Sequence, residues 1–164
     1  MERKILWAPW RGEYVSGKKE PGCIFCPPNS PLPDEERLIL YKDEKVLVIM
    51  NKFPYNTGHL LIAPRRHIAD LEALTEEELL NIMKMSQEAV KILKKVLKPD
   101  GFNIGFNIGK IAGAGYPDHI HLQLVPRWEG DINFLAVLDE VRVISQHLKT
   151  LYRDLFPHFQ SIKL

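Results

Sequence analysis

Cysteine is nearly absent from this chain: Cys23 and Cys26 are the two among 164 residues. That excludes a scaffold built on disulfides, which needs several bridges around a small core. Net charge of either sign is missing too, since 22 basic residues meet 21 acidic ones and leave +1. Nothing in that balance asks for nucleic acid or a membrane surface as a partner. No apolar run approaches the ~18 residues of a membrane span. The opening Met1–Pro9 stretch lacks the apolar core of a secretory leader, so a cytoplasmic protein is expected. Internal repeats and a second domain are likewise not visible, and one domain over 1–164 is expected. That length suffices for a proper core, and 45% hydrophobic with 26% charged residues is ordinary for a globular protein.

Residues 1–36 show little periodicity and read as an N-terminal arm. Trp7, Trp10, Tyr14 and Phe25 stand among prolines and glycines, and Pro27–Pro33 carries too many breakers for a helix or a ladder. The tryptophans of the arm fit core or interface packing better than stacking on a base. Arg37–Tyr41 and Lys45–Met50 read as a hairpin turned by Lys42-Asp43-Glu44. His59–Ala63 reads as a third strand ended by Pro64. Thr75 and Glu78 form a capping box, with Leu74 and Leu79 as a hydrophobic staple. Leu79, Ile82, Met83, Ser86, Val90, Leu93 and Leu97 then recur at helical spacing as a core face, until Pro99-Asp100-Gly101 stops the helix. A strand over Phe102–Asn107 is expected to pair with one over 119–125. A helical pattern runs from Phe134 to about Leu151, inside a C-terminal segment spanning 134–164, and takes in His147 as a surface or packing residue. His158, after Pro157, carries no signal. The sum is an α+β fold, an antiparallel sheet with a long helix packed on it.

The chemistry gathers on His119-Ile-His121-Leu-Gln123-Leu-Val125. Polar and apolar residues alternate strictly, so His119, His121 and Gln123 share one strand face about 6–7 Å apart. A neutral imidazole such as His121 is a competent nucleophile. Gln123 can donate and accept hydrogen bonds but cannot ferry a proton. The preceding Gly109–Asp118 loop is glycine-rich, and such backbone can approach an anion closely, although it is no Walker A motif. Cys23-x-x-Cys26 has the spacing of half a zinc site. It reads equally as a redox pair or as two small buried residues, and a zinc reading needs two further ligands, for which His67 and His119 are the candidates.

The His119–Val125 stretch resembles the signature of the histidine triad superfamily, His-φ-His-φ-His-φ-φ with φ apolar, with Gln123 in place of the third histidine. That variant is similar to the transferase branch, which includes galactose-1-phosphate uridylyltransferase and the dinucleoside tetraphosphate phosphorylases. The resemblance runs from Cys23 to Trp128 and takes in Gly58-His59-Leu-Leu-Ile-Ala-Pro64. It implies that His121 attacks the α-phosphate of a nucleotide and carries the nucleotidyl group, with His119 and Gln123 beside it. It implies nucleotide binding by Asn51, at the ribose hydroxyls, by Asn107, which orients the nucleophile, by His59, and by Gly113, Ala114 and Gly115 on the phosphate loop. It implies a structural zinc held by Cys23, Cys26, His67 and His119. Tyr116 departs from the serine that many members place near that loop position. A one-domain chain of this family is expected to form a homodimer.

Three functions follow as expectations. The first is a nucleotidyl transferase or phosphorylase acting on dinucleoside polyphosphates with phosphate as acceptor, favoured by Gln123 because an anionic acceptor needs no general base. The second is a hydrolase of dinucleoside polyphosphates or nucleoside phosphoramidates. The third is a non-catalytic nucleotide sensor, against which His121 weighs.

Overall fold

The computed structural model describes residues 22–27, 32–131 and 146–163. The expected arm with Trp7 and Trp10, and the helical pattern from 134 to 145, lie outside the described residues.

Five strands form one antiparallel sheet: β1 (Ile39–Lys42), β2 (Val46–Met50), β3 (Leu60–Pro64), β4 (Gly101–Phe106) and β5 (Leu122–Arg127), in the order β1-β2-β3-β5-β4. The hairpin of β1 and β2 turns where Asp43 Oδ1 accepts from the backbone N–H groups of Lys45 and Val46, at 2.8 and 2.7 Å. Every residue of β2 and β3 is buried, because these strands lie inside the sheet and carry apolar side chains on both faces. Strand β3 extends one residue beyond its expected end and includes Pro64, which pairs with Val46. A terminal strand position tolerates the missing N–H.

The long helix α1 (Glu76–Leu97) packs against β2, β3 and β5. Its start is as expected, for Thr75 Oγ1 accepts from Glu78 N–H while Glu78 Oε2 accepts from Thr75 N–H. The core face differs from the expected one. Asn81, Ile82, Met85, Ser86, Ala89, Ile92 and Leu93 are buried, whereas Leu79 is 39% and Met83 52% exposed. Apolar residues occur on two sides of this helix, so periodicity alone does not choose between them. Each fully buried side chain such as Ile82, Met85 or Leu93 contributes about 1.5–3 kcal/mol.

The last helix, α2 (Leu148–Gln160), runs through Pro157 instead of ending near Leu151. Proline removes one helical hydrogen bond. Buried Leu155 and Phe159 hold the last turns in place, together with Tyr152 Oη donating to Ile39 O at 3.0 Å and Gln160 Nε2 donating to Leu40 O at 2.8 Å. His147 caps this helix rather than lying within it, accepting from Lys149 N–H.

One glycine fixes the site's scaffold. Gly58 has φ +78°, and a Cβ there would lie 2.6 Å from Leu97 Cδ1 and 3.1 Å from Pro126 Cγ. The end of α1 thus rests directly on the backbone that delivers His59.

Candidate active site and metal centre

Strand β5 begins at Leu122 rather than at the expected His119, with a bend at His119, and residues 119–121 lead into it with Ile120 N–H donating to Ile68 O at 2.7 Å. The expected division into a buried and a working face gives way to burial of both. His119, His121 and Gln123 are 1%, 4% and 8% exposed, beside Ile120, Leu122 and Leu124 at 4%, 1% and 0%.

His121 is held in one tautomer. Its Nδ1–H donates to His119 O at 2.8 Å, which leaves Nε2 with the lone pair of a nucleophile. Burial pushes its pKa below the ordinary 6.5, and the bond to His119 O pulls the other way. Phe25 stacks on the ring at 4.8 Å between centroids and 29° between planes. It is fully buried and also lies 5.0 Å from the His119 ring. The sequence reading assigned Phe25 no role. The signal was its place inside the Cys-x-x-Cys knuckle, since whatever holds the cysteines also carries the residue between them.

The four expected metal ligands come together. Cys23, Cys26, His67 and His119 offer ligand atoms that all lie within 4.8 Å of one another. His119 Nδ1 is 3.2 Å from Cys23 Sγ and 3.7 Å from Cys26 Sγ, and His67 Nδ1 is 3.3 Å from Cys26 Sγ. Tetrahedral zinc with bonds of about 2.0–2.3 Å sets its ligands about 3.3–3.8 Å apart, so the donor set fits that ion. His119 Nε2–H donates to Pro64 O at 2.9 Å, which turns the other nitrogen toward the thiols, as a ligating histidine requires. Burial holds the His119 pKa below the usual range. Burial and the adjoining Cys23 push the Cys26 thiol up, with Arg65 pulling down. Arg37 anchors the knuckle by donating to Ile24 O and Cys26 O at 2.9 and 3.1 Å.

On the other side of the row, His59 Nε2 lies 2.7 Å from Gln123 Oε1. His59 Nδ1 accepts from Tyr55 N–H at 3.0 Å and lies 3.2 Å from Asn51 Nδ2. Asn51 Oδ1 accepts from Phe53 N–H at 2.9 Å. Tyr55, a second residue missed in the sequence, stacks on His59 at 4.7 Å. Gly105 pairs with Gln123 across β4 and β5, and a Cβ on it would meet nothing within 4 Å.

Asn107 is less directly placed. Its Nδ2 reaches Tyr55 Oη at 3.5 Å, and none of its hydrogen bonds among the described residues goes to His121. In the glycine loop, Gly113 N–H and Ala114 N–H already donate to Lys110 O and Gly109 O. Gly115 N–H has no such partner among the described residues, and Gly113 and Gly115 are exposed.

Residues 33–130 match the model of the HIT domain. The AP-4-A phosphorylase of Mycobacterium tuberculosis is 37% identical over 156 residues, which span 90% of this chain and 80% of that protein. The asymmetrical bis(5'-nucleosyl)-tetraphosphatase of Schizosaccharomyces pombe is 28% identical over 115 residues, 70% of this chain and 63% of that protein. Among solved structures, a zinc-bound histidine triad family protein from Mycobacterium smegmatis superimposes with a TM-score of 0.62 at 30% identity, covering 75% of this chain and 84% of that one. With the family model covering more than half its length and a relative this similar along most of it, the chain belongs to the HIT family of histidine triad proteins.

Proposed function

We propose that this HIT-family enzyme cleaves dinucleoside polyphosphates by phosphorolysis. The observation that carries the reading is Gln123, a carboxamide in the row of His119 and His121, in a chain similar along most of its length to an AP-4-A phosphorylase. His121 Nε2 attacks the α-phosphorus of diadenosine tetraphosphate. The P–N bond forms as the bond to the bridging oxygen breaks, and ATP departs. His119 O steadies the Nδ1–H as the ring gains positive character. Inorganic phosphate then attacks the same phosphorus, the P–N bond breaks, ADP leaves, and the imidazole lone pair is restored. Phosphate arrives as an anion, so positioning and electrostatics suffice and no group need take a proton from it.

Asn51, Asn107 and the amide of Gly115 are the residues proposed to meet the nucleotide and its phosphates, and His59 belongs to the same wall. Zinc is proposed at Cys23, Cys26, His67 and His119, where it would supply a cross-link and no reacting group. A homodimer is also proposed. Strand β4 ends the sheet and Ile104 on it is 46% exposed, and such an edge is a template for a second copy.

A hydrolase is the second reading, supported by the similarity to a tetraphosphatase. The test is product analysis with diadenosine tetraphosphate, with and without phosphate. ADP and ATP that appear only with phosphate support phosphorolysis. AMP and ATP formed regardless of phosphate put the hydrolase first. Nucleotide binding without turnover leaves the sensor.

A further inference from the structure

The two nitrogens of His59 can be assigned from its neighbours. Tyr55 offers Nδ1 a backbone N–H, which can only donate, so Nδ1 holds the lone pair. The second neighbour of Nδ1 is Asn51, whose carboxamide is itself oriented by a backbone donor: Oδ1 accepts from Phe53 N–H, so Nδ2 is the end that faces His59. In the neutral ring the proton then sits on Nε2, and its partner at 2.7 Å must be an acceptor. That settles the carboxamide of Gln123 with Oε1 turned to His59 and its NH₂ turned away. The NH₂ has no hydrogen-bond partner among the described residues. Opposite Gln123, Gly105 leaves open space where a side chain would stand.

We propose that His59 is a positioning residue: it consumes the acceptor end of Gln123 and so presents the donor end to the incoming phosphate. The inference rests on the phosphorolytic reading. A carboxamide turned the other way would aim an oxygen at an anion. With His59 in place that orientation would set Gln123 N–H groups against the Nε2–H of His59. His59 is 1% exposed, so it acts through Gln123 and need not touch the substrate.

Two measurements test this. The first needs no turnover: ¹⁵N spectra of histidine-labelled wild-type protein are expected to show His59 protonated at Nε2. A proton on Nδ1 overturns the assignment. The second compares His59→Phe, which keeps an aromatic ring against Tyr55 but has no N–H, with His59→Gln, which can again accept from Tyr55 N–H and donate to Gln123. The ADP-to-AMP ratio at fixed phosphate is expected to fall about 10²–10³-fold in His59→Phe, the scale of losing one preorganised donor. The KM for phosphate is expected to rise by a similar factor, and His59→Gln to recover most of the ratio. A His59→Phe protein that melts earlier yet keeps the wild-type ratio overturns the proposal, because the residue is then only structural. A wild type indifferent to phosphate refutes phosphorolysis itself, and the ¹⁵N result still judges the His59 assignment separately.

Discussion

The row of His119, His121 and Gln123 is flanked by two corners that use histidine in opposite ways. At the metal corner, His67 and His119 turn Nδ1 toward two thiols, so several lone-pair donors converge on one point. At the carboxamide corner, His59 has a donor at one nitrogen and an acceptor at the other, and its hydrogen bonding closes within the protein. Converging donors can hold a cation. Complementary partners need none and instead fix an orientation. The role of an imidazole is thus set by what fills its second nitrogen, which residue type alone does not reveal.

His121, the proposed nucleophile, lies between the corners, and its removal is the largest expected effect. His121→Ala should lower turnover on the order of 10⁴-fold or more, with nucleotide affinity little changed. Steady-state rates and equilibrium binding read the two separately, and substantial residual activity would rule out a covalent route through this residue.

Breaking the metal corner comes next. Purified protein should contain about one zinc per chain. Cys26→Ser, or treatment with a chelator, should lower the melting temperature by on the order of 10 °C, since an ion held at a thousand times its Kd stabilises by about 4 kcal/mol. An unchanged melting curve in metal-free protein would show that the four side chains cluster for another reason.

The carboxamide corner is sharpened by Gln123→His. A group that exchanges protons should shift the intermediate toward water and lower the ADP-to-AMP ratio about 10²-fold or more at fixed phosphate, the lower end of what a positioned general base contributes. A ratio identical to wild type would separate Gln123 from acceptor choice.

The smallest effect probes what backs the metal corner. Arg66, next to His67, grips Glu78 through two hydrogen bonds of 2.8 and 2.7 Å and also reaches Ala73 O. The Arg66 guanidinium holds the Glu78 carboxyl at about 2, against an ordinary 4.5, with the backbone of Thr75 helping and burial opposing. A depressed carboxylate stabilises above its unfolded pKa and loses that contribution as pH falls from about 4.5 toward 2. Glu78→Gln should flatten this acid limb of stability and cost about 2 °C in melting temperature at neutral pH. It should leave the product ratio alone. A changed ratio would mean that the two corners are coupled.

The β1–β2 hairpin, the pairing of β4 with β5 and the start of α1 were legible because alternation, turn residues and the Thr75–Glu78 box are local signals, whereas the place of β3 between β2 and β5 was not. The buried face of α1 was not, since Leu79, Leu80 and Met83 compete with Ile82, Met85 and Ile92 at the same period, and only the sheet decides between them. The residues of α2 beyond Leu151 were missed, although Leu151, Tyr152, Leu155 and Phe159 are buried at helical spacing. At the site, the cluster of Cys23, Cys26, His67 and His119, which could hold a metal, was readable from spacing together with the family signature. The stacking of Phe25 on His121 and the grip of His59 on Gln123 join residues far apart in the chain, and no local pattern announces them.

Phe25 and the Cys23 knuckle emerge early in synthesis, yet the histidine they meet lies 96 positions beyond Cys23. Contacts at that separation close late, after the entropy of a long loop has been overcome. The ring that stacks on His121 should therefore find its partner only once residues 119–121 have taken their place beside β3. A nascent or partly folded chain holds the individual chemical groups but not their arrangement. Catalytic competence in this protein should consequently appear all at once, as the final event of folding.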